Sequence, residues 1–133
     1  MLYKHSLRTG SHDQMIDISG QVKESLRQAQ VENGLAVVYS PHTTAGVTIN
    51  ENADPDVVHD LLMRLEEAHP RRHPRDRHGE GNSAAHLKAS LMGPSQSIPI
   101  ADGKLTLGVW QGIYFCEFDG PRSRTFYIKI ISS

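Results

Sequence analysis

Residues 35–51 read LAVVYSPHTTAGVTINE, two apolar segments on either side of a Ser-Pro-His turn. The first segment, residues 35–39, is an unbroken apolar run of strand length, and we expect a strand that is covered on both faces. The second segment, residues 44–51, alternates between apolar and polar side chains, and Glu51 continues its apolar face. Two strands joined by a short turn predict a sheet at the centre of the fold.

Three helices are predicted around these strands, at residues 19–34, 54–70 and 83–92. Ser19 is a suitable cap for the first helix, and Gly34 suits the left-handed position that follows a helix. Asp54 caps the second helix, which has a proline in its first turn. In the third helix we expect Leu87 and Leu91 to face the core together.

The rest of the chain is predicted to be β-structure. The expected extended segments are residues 2–18 with a turn inside them, 97–100, 105–110, 113–118 and 125–131. Asp102-Gly103 is a strong hairpin turn signal between two of them. The sum is a single α+β domain over residues 1–133, with mainly antiparallel sheets and about three helices.

The composition limits the classes of partner. The chain has 133 residues, 14 of them basic and 15 acidic, a balance that gives no support to a nucleic-acid or anionic-membrane role. No apolar run of about 18 residues that could span a membrane occurs in the sequence. The single cysteine, Cys116, excludes an internal disulfide and suits a reducing compartment, so we expect a cytoplasmic protein.

Two of the eight histidines flank a glycine-rich stretch, HGEGNSAAH at residues 78–86. His78 and His86, together with His42 ahead of the second strand, would bind a zinc ion through three imidazoles and leave its fourth position open, as in catalytic zinc sites. The alternative is that each histidine is satisfied separately, as a turn residue, a helical surface residue or part of a loop.

The same stretch lies just ahead of the third helix. Free backbone N–H groups and the helix dipole favour a phosphate or carboxylate there, although the lysine and spacing of a nucleotide-binding loop are absent. The simpler alternative is a flexible turn in which Asn82 or Ser83 caps the helix. The preceding segment, residues 70–77, is rich in arginine and proline, and it is either a basic flap over an anionic substrate or a solvated loop.

Two carboxylates extend apolar strand faces, Glu51 at the end of residues 44–51 and Glu117 in residues 113–118. Burial would raise the pKa of such a carboxylate toward neutral pH, which makes both residues candidate general bases. The alternative is an ion pair with an arginine, for which Arg64, Arg122 and Arg124 are the candidates.

Several motifs together resemble a known family. They are His42-Thr43-Thr44-Ala45, Ile49-Asn50-Glu51-Asn52-Ala53-Asp54-Pro55, the stretch from His78 through Gly81-Asn82 to Ala85-His86-Leu87-Lys88, Leu107-Gly108 followed by Trp110-Gln111-Gly112-Ile113-Tyr114, and Glu117 followed by Gly120-Pro121-Arg122. In this combination the chain is similar to the YjbQ-like family, often named secondary thiamine-phosphate synthase. The resemblance spans nearly the whole chain.

The resemblance implies a compact α+β subunit that assembles as a homotrimer, with a metal-binding pocket near the histidines. It implies a weak, secondary ability to join a pyrimidine pyrophosphate to a thiazole phosphate. Carried over by position, the implied metal ligands are His42, His78 and His86, while Asn82 and Gln111 match polar positions of the family. We expect these two residues to bind substrate, together with Thr44, Asn52 and Arg122 in the motifs quoted above.

Three functions are therefore compatible with the sequence. The first is a metal-dependent enzyme, with zinc the expected ion, that acts on a phosphorylated or pyrophosphorylated small molecule and has thiamine-phosphate synthase as a side activity. The second is a metal-dependent hydrolase in which Glu51 activates a metal-bound water. The third is a non-catalytic trimeric ligand-binding protein whose histidines form an anion pocket.

Overall fold

The computed structural model describes residues 1–133 and contains eight strands and three helices. The strands are β1 (Leu2–Arg8), β2 (Gln14–Asp17), β3 (Gly34–Tyr39), β4 (Ala45–Glu51), β5 (Ser95–Ala101), β6 (Lys104–Leu105), β7 (Gln111–Glu117) and β8 (Ser123–Ser132). The helices are α1 (Ser19–Ala29), α2 (Pro55–Ala68) and α3 (Ser83–Met92). This content confirms the predicted α+β class.

The strands form two sheets in which all pairings are antiparallel. The larger sheet has the order β1-β8-β3-β5-β6, and the smaller has the order β2-β7-β4. The main core combines apolar side chains of both sheets with the buried face of α1. In the smaller sheet, Ala45 lies opposite Glu117 at one end and Glu51 lies opposite Gln111 at the other. This register decides which predicted site residues can meet.

The smaller sheet is covered on its second face by α2 and α3. Alternate residues of β7, Tyr114 and Cys116, turn toward this second core, while Ile113 and Phe115 belong to the main core. The period of two therefore divides one strand between two apolar clusters. The predicted apolar stripe of α2 packs against the second core through Val58, Leu61, Leu62 and Leu65.

The larger sheet is covered on one face only, so the prediction for residues 35–39 is wrong on this point. Ala36 and Val38 are completely buried, whereas Val37 is half-buried and Tyr39 is 45% exposed. An unbroken apolar run is compatible with a strand buried on both faces or with one whose second face is left open. The open face has a shallow cavity of about 350 Å³ lined by Leu2, Val37, Tyr39, Tyr127 and Lys129.

The buried face of α3 also differs from the prediction. Leu87 and Leu91 are 43% and 58% exposed, while the Lys88 side chain is almost completely buried. The helix packs through small residues because it lies directly against β4. A Cβ atom added to Gly46 of β4 would meet Gly93 O at 2.8 Å and Met92 Cβ at 2.9 Å. A leucine-bearing face has no room at this distance.

Two boundaries differ from the predictions. α1 ends at Ala29, and Gln30 rather than Gly34 takes the left-handed conformation, with φ 55°. The strand expected at residues 105–110 shrinks to Lys104–Leu105, because Gln111 folds back and its side-chain Oε1 accepts the Gly108 N–H at 2.8 Å. No helix of this structure is long and apolar enough to cross a membrane.

Gly46→Ala should lower the free energy of unfolding by about 1–3 kcal/mol, since the added methyl group pushes α3 away from β4. Urea denaturation measures this change. Gly20→Ala is the matched control, because a Cβ at Gly20 meets nothing within 4 Å and alanine is favoured in a helix. Equal effects of the two substitutions would show that close packing at Gly46 is not the cause.

Candidate functional site

A connected group of charged and polar side chains lies beside α3. It consists of seven residues, which we call the charged network: Glu66, Lys88, Asp13, His12, Asp119, Asn82 and Arg122. These residues come from α2, α3, the β1–β2 turn and the β7–β8 turn. Only Asn82 and Arg122 were predicted as site residues.

Lys88 is the centre of the charged network. Its Nζ donates to Asp13 Oδ2 at 3.1 Å and to Glu66 Oε1 at 2.7 Å. A buried ammonium group is tolerated when its partners are carboxylates and its donors are used. The hydrogen bond from Lys88 holds the pKa of Glu66 below its usual range. Lys88 therefore connects α3 to α2 and to the β1–β2 turn.

His12 is flanked by two carboxylates. Its Nδ1 contacts Asp13 Oδ1, and its Nε2 lies 3.7 Å from Asp119 Oδ1, slightly too far for a hydrogen bond. Asp119 Oδ2 in turn accepts from Asn82 Nδ2 at 2.9 Å and from Arg122 Nη2 at 3.2 Å. The His12 side chain is about one quarter exposed, so a ligand can reach its ring.

Asn82 occupies the N-cap position of α3 without capping it. Its side chain makes no hydrogen bond to the first turn of the helix, because Nδ2 is turned toward Asp119. Its Oδ1 is buried and has no hydrogen-bond partner. The prediction that a side chain caps α3 is therefore wrong. The first turn of α3 keeps backbone N–H groups without a capping side chain, as an anion site requires.

The arginine-rich segment, residues 70–77, which we call the basic loop, begins where α2 meets the charged network. Glu66 Oε2 accepts the backbone N–H of Arg71 at 2.8 Å. Beyond this point the loop borders a cavity of about 320 Å³, which we call the anion cavity. Its lining residues are Arg71, Arg72, His73, Pro74, Asp76, His78 and Gly81.

A second cavity of about 370 Å³ adjoins the anion cavity, with His73 and Asp76 lining both. It lies between the end of α2 and the start of α3, and its wall includes Ala84 and Leu87. The exposure of Leu87 has its explanation here, since the side chain faces this space. A charged cavity and a partly apolar one therefore lie side by side.

The structure brings two of the three predicted metal ligands together. The rings of His78 and His86 lie edge to face with their centroids 5.3 Å apart. His42 is engaged elsewhere, because its Nε2 accepts the backbone N–H of Thr125 at 2.9 Å. Burial, followed by the positive charge of Arg124, lowers the pKa of His42. No group of three or more His, Cys, Asp or Glu side chains is arranged to hold a metal ion.

Glu117 is a fully buried carboxylate in an ion pair with Arg124. It also accepts from Thr9 Oγ1 at 2.8 Å and from the Asp119 N–H at 3.0 Å. Burial by itself would raise the pKa of Glu117, but the hydrogen bonds from Arg124, Asp119 and Thr9 outweigh it and lower the pKa. The predicted shift toward neutral pH is therefore wrong, and the alternative of an ion pair with Arg124 is confirmed. Thr44 belongs to the same cluster, with its Oγ1 accepting from Arg124 at 2.8 Å.

Glu51, Asn52 and Gln111 lie at the opposite end of β4. From Thr44 to Glu51 the strand spans about 23 Å at the rise of an extended chain. At this far end Asn52 Nδ2 donates to Asp17 Oδ2 at 3.0 Å. The predicted catalytic pair Glu51 and Glu117 is thus separated by the length of the sheet, and the predicted residues do not form one site within a single chain.

Comparison with known proteins agrees with the motifs. The family model described as "UPF0047 protein YjbQ-like" matches residues 3–133. The UPF0047 protein YugU of Bacillus subtilis is 54% identical, with 98% of this chain and 99% of that relative covered. A UPF0047 protein of Methanocaldococcus jannaschii is 51% identical, with 98% and 94% covered.

Solved structures have the same fold. A YjbQ/UPF0047 family protein of Clostridium acetobutylicum superposes with a TM-score of 0.95 at 56% identity, covering 97% of this chain and 99% of that one. A protein of Sulfolobus solfataricus described as YbjQ-like reaches a TM-score of 0.95 at 27% identity, with 100% and 97% covered. The fold and the site thus define a compact α+β protein in which the charged network lies beside α3. The chain belongs to the YjbQ-like UPF0047 family, as the motifs predicted.

Glu117→Gln should lower the free energy of unfolding at pH 7 by about 3–5 kcal/mol, because it leaves the Arg124 charge buried and unpaired. The lowered pKa of Glu117 adds a pH dependence. The ion pair contributes full stability above the unfolded-state pKa of about 4.3, and the contribution is lost as the pH falls through the folded-state value. Urea denaturation at pH 7 and pH 3 should therefore show a smaller difference between variant and wild type in acid.

Glu24→Gln is the control at pH 7, because Glu24 pairs with Arg27 on the exposed surface of α1. This substitution should leave the urea midpoint nearly unchanged. A Glu117→Gln protein as stable as the Glu24→Gln protein would show that the buried pair does not stabilise the fold.

Proposed function

We propose that the protein is an enzyme that acts on a phosphorylated or pyrophosphorylated small molecule bound in the anion cavity. The observation that carries this proposal is the composition of the cavity wall. Arg71, Arg72, His73 and His78 surround a space of about 320 Å³, and Asp76 is the single acidic residue among its lining residues. A phosphate or pyrophosphate group fits a cavity with this excess of positive charge and with several N–H hydrogen-bond donors.

Two further features support an oxyanion ligand. Arginine can donate two parallel hydrogen bonds to a phosphate, and two consecutive arginines line the cavity. Gly81 also lines it, and the next residues begin α3, whose first-turn N–H groups are not capped by Asn82. Charge that develops on a departing pyrophosphate would be stabilised by the same groups. The adjoining cavity beside Leu87 offers room for the organic part of the substrate.

The proposed transfer is the weak thiamine-phosphate synthase activity that the family resemblance implies. In that reaction the thiazole nitrogen is the nucleophile, so the protein needs to bind and orient two substrates more than to move protons. The basic loop would hold the pyrophosphate of one substrate. The second cavity, which shares His73 and Asp76, would hold a ring next to it.

We also propose a divalent metal ion, with zinc the expected one, at His78 and His86. Their ring separation fits two imidazole ligands of one ion, whereas His42 does not fit because its Nε2 lone pair already accepts from Thr125. The remaining positions would be filled by water or by substrate oxygen. A bound ion would add positive charge beside the phosphate groups.

The proposed assembly is a cytoplasmic homotrimer. The open face of the larger sheet supports self-association, since Leu2 and Tyr39 are exposed and line a shallow cavity together with Val37. The hydrolase alternative needs Glu51 beside the histidines, and Glu51 lies at the opposite end of the smaller sheet. The third alternative, a non-catalytic ligand-binding protein, would use the same cavity. It differs from the proposed enzyme only in that the bound ligand is not converted to a product.

Arg71→Ala and Arg72→Ala should each weaken the binding of inorganic pyrophosphate by about 10–100-fold, the effect of losing one charged hydrogen-bond donor. Isothermal titration calorimetry at low and high salt measures the change, and binding should weaken as salt rises. Lys104→Ala removes an exposed positive charge from the β5–β6 hairpin and should bind like wild type. Equal losses in all three variants would point to net charge rather than to the anion cavity, and a wild-type protein that does not bind pyrophosphate would rule out the proposed site.

His86→Ala should lose most of the zinc that wild type retains after dialysis, while His42→Ala should keep it. Metal content per chain, measured by elemental analysis, gives the result, and circular dichroism checks that both variants are folded. Loss of zinc from both variants would show that His42 leaves Thr125 to join the ion. No bound zinc in wild type would contradict the metal proposal and leave the anion cavity to be judged separately.

A further inference from the structure

The basic loop is joined to the rest of the protein by one hydrogen bond. Two of the hydrogen bonds made by residues 70–77 stay inside the loop, where the N–H groups of Arg75 and Asp76 donate to His73. Only the backbone N–H of Arg71 reaches outside, where it donates to Glu66 Oε2 at 2.8 Å. Apart from the chain itself, the position of the loop therefore depends on one carboxylate near the end of α2.

The Glu66 carboxylate is in turn held by Lys88. Its Oε1 accepts from Lys88 Nζ at 2.7 Å while its Oε2 accepts from Arg71, so both oxygens are in use. The Lys88 side chain is 2% exposed and is also bound to Asp13, on a helix that packs directly against Gly46 of β4. A continuous series of contacts thus joins the smaller sheet to the first arginine of the anion cavity.

We propose that Glu66 is a positioning residue of the anion cavity, which holds the backbone of Arg71 where its side chain can bind the ligand. The inference rests on the proposed function, because that function places a phosphate or pyrophosphate group against Arg71. Glu66 does not itself line the cavity, so its effect on the ligand passes through the loop. A loop that is already ordered loses less conformational entropy when the ligand binds.

The charge of Glu66 would have the opposite effect on the ligand. A carboxylate close to an anion site repels the ligand, so if charge were its only influence, its removal would strengthen binding. If Glu66 positions Arg71, its removal weakens binding. Glutamine separates the two effects, because it has nearly the same size but a single acceptor oxygen, which cannot serve both Lys88 and Arg71.

Glu66→Gln should weaken the binding of inorganic pyrophosphate by about 3–10-fold, the effect of losing about one hydrogen bond. Isothermal titration calorimetry measures the dissociation constant. Glu67→Gln is the matched control, since Glu67 is the next residue of α2, is exposed and makes no side-chain hydrogen bond. It loses the same charge and should bind pyrophosphate at least as tightly as wild type. If Glu66→Gln binds as tightly as Glu67→Gln, the inference is overturned.

The same substitution in an Arg71→Ala protein tests whether Glu66 acts through Arg71. Alanine keeps the backbone N–H that Glu66 accepts, but it removes the side chain that this contact positions. Glu66→Gln should therefore change the pyrophosphate dissociation constant less in the Arg71→Ala protein than in wild type. An equal change in both proteins contradicts a role through Arg71.

Trypsin cleavage measures the hold on the loop without any ligand. Trypsin cuts after arginine, and a loop released from Glu66 opens more often to the protease. Glu66→Gln should be cut faster than wild type after Arg71 or Arg72, with cleavage confined to the loop by mass spectrometry. Glu67→Gln should be cut like wild type. Equal cleavage of Glu66→Gln and wild type overturns the positioning role.

The failure of the proposed function is distinguishable from the failure of this inference. If wild type does not bind pyrophosphate, the anion cavity is not the site, and the comparison of trypsin cleavage alone decides whether Glu66 holds the loop. If wild type binds pyrophosphate and Glu66→Gln binds it equally well, the site stands and the positioning role is wrong.

Discussion

The ammonium group of Lys88 lies where three separate pieces of the chain meet. Removing it from water is costly unless its hydrogens are donated to carboxylates, and Asp13 and Glu66 supply these acceptors. The same Glu66 carboxylate accepts the N–H of Arg71, and the same Asp13 carboxylate contacts His12. One buried lysine is thus linked, through its two carboxylate partners, to the start of the basic loop and to the His12 ring. The close packing of α3 on Gly46 makes this possible, because it brings the lysine-bearing face of the helix inward.

A second buried ion pair fixes the neighbouring end of the smaller sheet. Glu117 and Arg124 use Thr9 and Thr44 as additional partners, so four segments converge on a group with no free carboxylate oxygen. A carboxylate with this many donors stays ionised, and its role is to join strands. A carboxylate that is buried without donors has a raised pKa, whereas one that accepts several hydrogen bonds stays ionised. The number of nearby donors, rather than burial, therefore decides whether a buried carboxylate can act as a general base.

Local sequence patterns predicted correctly those features that depend on residues close together in the chain. The limits of α3 follow from the polar residues ahead of it and from Gly93-Pro94 behind it, and the structure confirms them at residues 83–92. The buried face of α3 does not follow from the pattern. Hydrophobicity alone would bury Leu87 and Leu91, whereas the structure buries Lys88 and the alanines on the other face. Only the contact with Gly46, about forty residues away in sequence, reverses the preference. His12 and Asp13 were missed for the same reason, since their partners lie in distant segments. The pair His78 and His86 was found because both residues lie in one short stretch.

The location of Glu51, Gln111 and Trp110 follows from the register of β4 with β7, which no local pattern determines. The alternation of residues 44–51 was predicted correctly, but alternation says which face a residue occupies and not which end of the sheet it meets. α2 then carries the chain back along the sheet, so the segment after it emerges at the other end. A chain that folds in this way separates two groups of polar residues by the length of one helix. Within one chain the two groups of polar residues therefore stay apart.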